Sequence, residues 1–133
     1  MRMVFNAMIS NVDDHLRNHA FLRESSGWRL SPVYDLESSP PEYKAPYQHT
    51  PLFPQNRLHL DMVFDEALAA SEEFGLSLNE AREAMQGLSR TVGKWPSLAK
   101  AANAGKADIE IMESAFRPIH NPRISNTWRQ ETK

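Results

Sequence analysis

The most informative stretch of this chain is Asn11-Val12-Asp13-Asp14-His15-Leu16-Arg17-Asn18. It holds two aspartates, a histidine, an arginine and two asparagines, and only Val12 and Leu16 are apolar. An apolar run ending at Ile9 precedes the stretch, and the strand-like run 20–22 follows it. A polar segment between two segments that must be buried is typical of a loop on a scaffold, where chemistry tends to lie. We therefore predict a functional loop at residues 11–18.

Size and composition indicate an ordinary globular domain. The chain has 133 residues, of which 41% are hydrophobic and 24% are charged, close to the globular average. No run approaches the roughly 20 apolar residues needed to cross a bilayer, and the N-terminus lacks a signal-peptide pattern. The absence of cysteine suits a reducing compartment. The net charge of −2 argues against nucleic acid as the main ligand. We expect a soluble cytoplasmic protein with no membrane segment.

The first half of the chain combines one helix, a hairpin and a long loop. Residues 1–10 place Val4, Phe5, Met8 and Ile9 on one helical stripe, which predicts a packed helix. Two short strand candidates, 19–23 and 28–31, flank a turn that ends at Gly27 and predict a hairpin over 19–31. The proline-rich stretch 37–54 excludes a regular helix or central strand and is predicted to be a loop.

The second half is predicted to be helical over residues 61–117. Asp61 is expected to cap a helix that runs to Phe74, and the capping-box spacing of Ser77 and Glu80 opens a helix to about Val92. Helices at 95–102 and 107–116 complete the domain, and residues 118–133 are expected to be a flexible tail. Core packing is the preferred interpretation of the large apolar residues Met85, Leu88, Trp95 and Phe116. A DNA-binding helix-turn-helix over 61–92 is weakly supported, because its second helix offers few basic residues.

Three residues suggest phosphoryl transfer assisted by a metal. Asp13 and Asn18 stand five residues apart in the loop, and Asp35 follows the hairpin that returns the chain toward Asn18. One carboxylate can accept the proton of an attacking hydroxyl, while a second carboxylate and an amide oxygen can hold Mg²⁺. The structural alternative is that Asp13 and Asn18 cap a turn and that Asp35 caps a short helix.

The histidines and the arginine leave further alternatives open. His15 and His19 have a spacing that suits zinc on a helix face, with Asp13 or Asp14 as a further ligand, although no HExxH pattern is present. His15 can instead fix the loop by hydrogen bonding or lie near the transferred phosphate. Arg17 can pair with phosphate or with Asp14.

Two segments of the sequence resemble the HipA-like serine/threonine kinases, which are toxins of bacterial toxin–antitoxin pairs. The family's asparagine–x–aspartate–x–histidine–x–basic–asparagine loop matches residues 11–18, within the longer segment 5–21. Its serine/threonine–proline–x–tyrosine–aspartate segment matches residues 31–35, within 28–36. The later pattern at 74–77, with helices and Trp95 after it, is similar to the family's helical C-terminal part. The resemblance covers residues 1–117.

This resemblance implies a helical C-terminal lobe of a protein-kinase-like fold, mainly α with a small β-hairpin. It implies Asp13 as general base and Asn18 and Asp35 as magnesium ligands, with His15 and Arg17 on the nucleotide side. ATP would be the phosphate donor and a protein serine or threonine the acceptor. Implied partners are a helix-turn-helix antitoxin and, only through it, operator DNA.

One departure from the family affects the expected activity. Only twelve residues precede Asp13, whereas family members carry an N-terminal lobe there that covers the ATP phosphates. We therefore expect the chain alone to be very slow or inactive, as a truncated kinase or as one that works with a separate N-lobe polypeptide. The alternative function is a non-catalytic interaction module that binds an antitoxin or a target protein.

Overall fold

The computed structural model describes residues 1–40, 42–43, 47–48 and 58–120. It is mostly helical and contains a small antiparallel hairpin, as the sequence predicts, and a second short pair of antiparallel strands. Within the described residues, no helix is long and apolar enough to span a bilayer. The helices are α1 (Arg2–Met8), α2 (Leu60–Ala69), α3 (Leu78–Val92), α4 (Trp95–Ala101) and α5 (Lys106–Met112). The strands are β1 (Phe21–Glu24), β2 (Gly27–Leu30), β3 (Tyr47–Gln48) and β4 (Leu58–His59), and 3₁₀ segments cover Leu16–Asn18, Ser71–Phe74 and Glu113–His120.

Helix α1 lies in the core, where it contacts α2, α3 and the 3₁₀ segment Glu113–His120. The predicted stripe is confirmed, because Val4, Met8 and Ile9 are buried and Phe5 packs partly buried against them. A seven-residue helix is marginal alone, so this burial on several sides stabilises it. Since loop 11–18 begins just after α1, the core also fixes where the loop starts.

Helix α3 begins as predicted. The Ser77 hydroxyl accepts a hydrogen bond from the Glu80 backbone N–H (3.3 Å), and the Glu80 carboxylate accepts one from the Ser77 backbone N–H (2.8 Å). These two reciprocal bonds form the predicted capping box and satisfy N–H groups that a helix start leaves unpaired. The helix ends at Val92, and Gly93 follows it, as expected from the sequence.

The predicted helix from Asp61 to Phe74 is wrong in two details. Helix α2 begins at Leu60, so Asp61 lies inside its first turn and not ahead of it. The α-helix ends at Ala69, and a 3₁₀ segment carries the chain to Gly75, whose φ of 71° is left-handed. The Leu76 backbone N–H donates to the Ser71 carbonyl at 3.1 Å, which is the long bond of a Schellman motif. The tight last turn and the glycine that ends it thus satisfy the final carbonyls.

The C-terminal boundary also differs from the prediction. The tail was expected to begin at Pro118, but the 3₁₀ segment continues to His120 and Ile119 is only 8% exposed, within the core. Residues 121–133 of the predicted tail lie outside the described part of the chain. The core interpretation of Trp95 and Phe116 is confirmed, since their rings stack at 4.2 Å between centroids and pack against the core.

The predicted hairpin is present over a slightly shorter range. Phe21 pairs with Leu30 and Glu24 with Gly27, which leaves a two-residue turn, and Gly27 has the positive φ (127°) expected of it. Most of the proline-rich loop 37–54 lies outside the described residues. One described piece of it, β3, pairs with β4, a contact that the sequence did not predict.

Candidate active site

Ser10 marks the point where α1 turns into the functional loop. Its backbone has a left-handed φ of 53°, and its hydroxyl donates to the Ala115 carbonyl at 2.6 Å. The Ser10 carbonyl accepts the Ser39 backbone N–H at 3.3 Å. Two segments that are distant in sequence, around Ala115 and Ser39, therefore hold the chain at Ser10, just before the loop.

Asn11 shapes the first half of the loop. It is buried, its backbone N–H donates to the Asn6 carbonyl at 2.8 Å, and its side chain lies 3.4 Å from the Asn6 side-chain oxygen. Its own side-chain oxygen accepts the Asp13 backbone N–H at 3.3 Å, the pattern of an Asx-turn. The buried amide thus turns the chain so that Asp13 reaches the surface.

Asp13 and Asn18 are joined by the loop itself. The Asn18 side-chain nitrogen donates to the Asp13 carbonyl at 3.2 Å, which closes the loop across five residues. A 3₁₀ turn over Leu16–Asn18 supports this closure, with the Asn18 backbone N–H bonded to the His15 carbonyl at 2.9 Å. Because the amide nitrogen is used in the loop, the amide oxygen of buried Asn18 is the atom left to accept or ligate.

Asp14 has a different environment from its neighbour. Asp14 is completely buried, with its Oδ1 2.8 Å from His19 Nε2, whereas Asp13 is exposed. Sequence reasoning missed this pair, because it considered Asp14 beside Arg17 or a zinc ion. The described residues contain no group of three or more histidine and acidic side chains placed to hold a metal, which leaves the zinc alternative without support. Two adjacent aspartates in a sequence do not reveal which of them is buried and which is exposed.

The second motif lies against this loop. The Tyr34 hydroxyl donates to the Arg17 carbonyl at 2.7 Å, and the Ser31 backbone N–H donates to the Ala20 carbonyl at 2.7 Å. Asp35, directly after Tyr34, is exposed and has a left-handed φ of 55°. Within the described residues, the carboxylates of Asp13 and Asp35 take part in no hydrogen bond or ion pair. The Tyr34 contact thus ties the segment that carries Asp35 to the loop that carries Asp13 and Asn18.

The two other predicted site residues lie on the same loop. Arg17 is exposed, and its backbone carbonyl makes the contact with Tyr34 described above. His15 is partly buried, and its Nδ1 has no hydrogen-bond partner among the described residues. A buried ring nitrogen without a hydrogen-bond partner is uncommon in native proteins. The Nδ1 of His15 therefore has unused hydrogen-bonding capacity within the described residues.

Comparison with known families supports the motif-based resemblance. A family model described as the HipA-like C-terminal domain matches residues 1–96, which is most of the 133-residue chain. The chain belongs to the HipA-like C-terminal domain family. Searches of curated proteins and of solved structures found no significant match. The HipA-like match contains both motifs and runs from α1 through α3 into the first residues of α4.

The donor set of this HipA-like site fits a hard divalent cation. Its candidate groups are the Asp35 carboxylate, the Asn18 amide oxygen and the Asp13 carboxylate. Mg²⁺ prefers such oxygen ligands and keeps several of its waters, so it needs only one or two protein carboxylates and an open site. The exposure of both aspartates meets that requirement.

Proposed function

We propose that this chain carries the catalytic loop of an ATP- and magnesium-dependent protein serine/threonine kinase of the HipA type. One observation supports the proposal above the others: a hydrogen bond from the Tyr34 hydroxyl ties the second motif to the loop, so the segments that carry Asp13, Asn18 and Asp35 are in contact. Protein kinases use such a set, with a base and an amide five residues apart and a second acid on the next segment.

Each residue has a distinct role in this proposal. Asp13, which is exposed and whose carboxylate has no partner among the described residues, accepts the proton of the substrate hydroxyl as that oxygen attacks. Asn18 and Asp35 hold Mg²⁺, and Arg17 and His15 face the phosphates of the nucleotide. When bound, ATP would supply the phosphoryl group, and Mg²⁺ would offset the negative charge that develops during transfer.

A separate nucleotide-covering lobe is part of the proposal. The five glycines of the sequence stand at positions 27, 75, 87, 93 and 105, so they form no glycine-rich loop that cradles phosphates. We propose that such a lobe works with this domain, and that a helix-turn-helix antitoxin is a further partner in the cytoplasm. DNA would be reached only through that antitoxin.

The test is phosphate transfer to a protein substrate with a HipA-type N-lobe added in trans. We expect transfer that requires both polypeptides and Mg²⁺, and that falls about 10²- to 10⁴-fold in Asp13→Ala, the usual contribution of a general base. Asp65→Ala, which removes an exposed acid inside α2, is the matched control and should retain full activity. Absence of transfer with the lobe restored, or an Asp13→Ala variant as active as wild type, would overturn the proposal.

A second candidate function, a non-catalytic interaction module, is favoured by the hairpin surface. Phe21, Trp28 and Leu30 lie on one face of β1 and β2 and are all exposed, which is unusual for large apolar side chains so close together. This module would bind an antitoxin or target protein with an affinity that Asp13→Ala and Asp35→Ala leave unchanged. Calorimetry with both variants separates the candidates, since loss of binding in both folded variants would contradict a module that does not use the site.

A further inference from the structure

Tyr34 makes a contact that core packing does not explain. Its side chain is exposed, yet its hydroxyl donates to a backbone carbonyl seventeen residues earlier, at Arg17, with an oxygen–oxygen distance of 2.7 Å. The Tyr34 ring is not part of the buried core. The hydrogen bond from its hydroxyl is therefore the contact that orients this side chain.

The residue after Tyr34 needs this kind of support. Asp35 adopts a left-handed backbone (φ 55°), which aspartate tolerates better than most residues other than glycine and which neighbouring contacts can stabilise further. The Tyr34 bond lies just before this position, and the Ser39 N–H to Ser10 carbonyl bond (3.3 Å) lies after it. One bond connects the segment 34–39 to the functional loop, and the other connects it to Ser10, just before that loop. The turn at Asp35 therefore lies between two contacts with this part of the chain.

The same hydrogen bond links the two segments that carry candidate metal ligands. Arg17 directly precedes Asn18, and Tyr34 directly precedes Asp35, so the bond joins the residues adjacent to both ligand-bearing positions. We propose that Tyr34 is a positioning residue, whose hydroxyl holds Asp35 beside Asn18 so that both side chains reach one divalent cation. This role rests on the proposed function, in which Asn18 and Asp35 bind Mg²⁺. Groups that orient metal ligands in this way typically contribute 10- to 100-fold to metal affinity.

Tyr34→Phe tests the proposal because it removes a single oxygen and keeps the ring. In ¹⁵N-labelled metal-free chain, we expect the amide signals of Asn18 and Asp35 to shift in this variant and to exchange faster with solvent. Titration with Mn²⁺, a paramagnetic substitute for Mg²⁺, should broaden both signals together in the wild type. Tyr34→Phe should require about tenfold more Mn²⁺ for the same broadening. Tyr43→Phe, at another exposed tyrosine, is the matched control and should behave as wild type.

The outcomes separate this role from the proposed function. If Tyr34→Phe follows the wild-type Mn²⁺ curve while wild type shows broadening at both residues, the positioning role is overturned and the metal assignment stands. If wild type shows no broadening at Asn18 and Asp35, the metal assignment fails and the positioning role fails with it. A purely structural tyrosine would lower the urea midpoint of unfolding without moving the Mn²⁺ dependence, so that result also overturns the proposal.

Discussion

Ser10→Ala removes a buried hydroxyl that donates a hydrogen bond to a buried carbonyl. Ser10 is 1% exposed and donates to the Ala115 carbonyl at 2.6 Å. In a 3₁₀ segment, the donor for this carbonyl would be the backbone N–H three residues on, but that residue is Pro118, which has none. Because Pro118 has no N–H to donate, the Ala115 carbonyl instead accepts its hydrogen bond from the Ser10 hydroxyl, 105 residues away in sequence.

The expected loss of stability follows from this burial. A typical hydrogen bond contributes about 1 kcal/mol net, and an acceptor left buried without a partner costs about 1–3 kcal/mol. We therefore expect Ser10→Ala to lower the free energy of unfolding by about 1–3 kcal/mol. In urea, where the slope for small proteins is about 1–3 kcal/mol/M, the unfolding midpoint should fall by about 1 M with an unchanged slope.

A double-mutant cycle with Pro118→Ala tests the cause and not only the size of the loss. Alanine at 118 restores an N–H that can donate to the Ala115 carbonyl, so Ser10→Ala should cost about 1 kcal/mol less in this background. Ser31→Ala, which removes a largely buried hydroxyl bonded to the carbonyl of the next residue, is the control for hydroxyl loss alone. A Ser10→Ala cost below about 0.5 kcal/mol, or an equal cost in both backgrounds, would refute the reasoning.

Two further predictions concern Glu80 and Asp14. Hydrogen bonds from the Ser77 hydroxyl and, secondarily, from its backbone N–H hold the pKa of Glu80 below its ordinary value. The ionised Glu80 side chain therefore contributes fully to folding stability when the pH is above the ordinary pKa, and this contribution is lost as the pH falls through the lowered pKa. Urea midpoints of wild type and Glu80→Gln should therefore differ at neutral pH and converge in acid; a constant difference would contradict this. Asp14→Ala leaves His19 without its 2.8 Å partner and should cost about 1.5–3 kcal/mol, against little change in Asp13→Ala; equal costs would show that burial of Asp14 is unimportant.

The sequence predicted those parts of the fold that depend on neighbours along the chain. Helix α1 and the capping box of α3 are determined by residues three or four apart, which is the spacing that a helical pattern reports. The hairpin follows from a turn ending in Gly27, which supplies a positive φ at low cost. The two site motifs were found for the same reason, since each is a short run of fixed spacing.

Features that depend on distant partners were not predictable. The Asp14–His19 pair requires knowledge of which of two adjacent acids is buried, and a polar loop has no periodicity that reveals it. The tail boundary was wrong because proline usually ends a helix, whereas here the segment continues with Ile119 in the core. The pairing of β3 with β4 joins residues across a stretch that only tertiary structure closes.

The polar residues of the two site motifs fall into a buried, hydrogen-bonded set and an exposed set. Asn11, Asp14 and Asn18 are buried and hydrogen-bonded, and removing any of them would leave partners unpaired in the interior. Asp13 and Asp35 are exposed, and within the described chain their carboxylates make no hydrogen bond or ion pair. An exposed acid on a loop fixed by buried amides, as Asp13 is, matches the arrangement of preorganised sites, in which the supporting residues are locked by their own contacts. This contrast, together with the motif spacing, is why we propose a catalytic role for Asp13 and not simple turn capping.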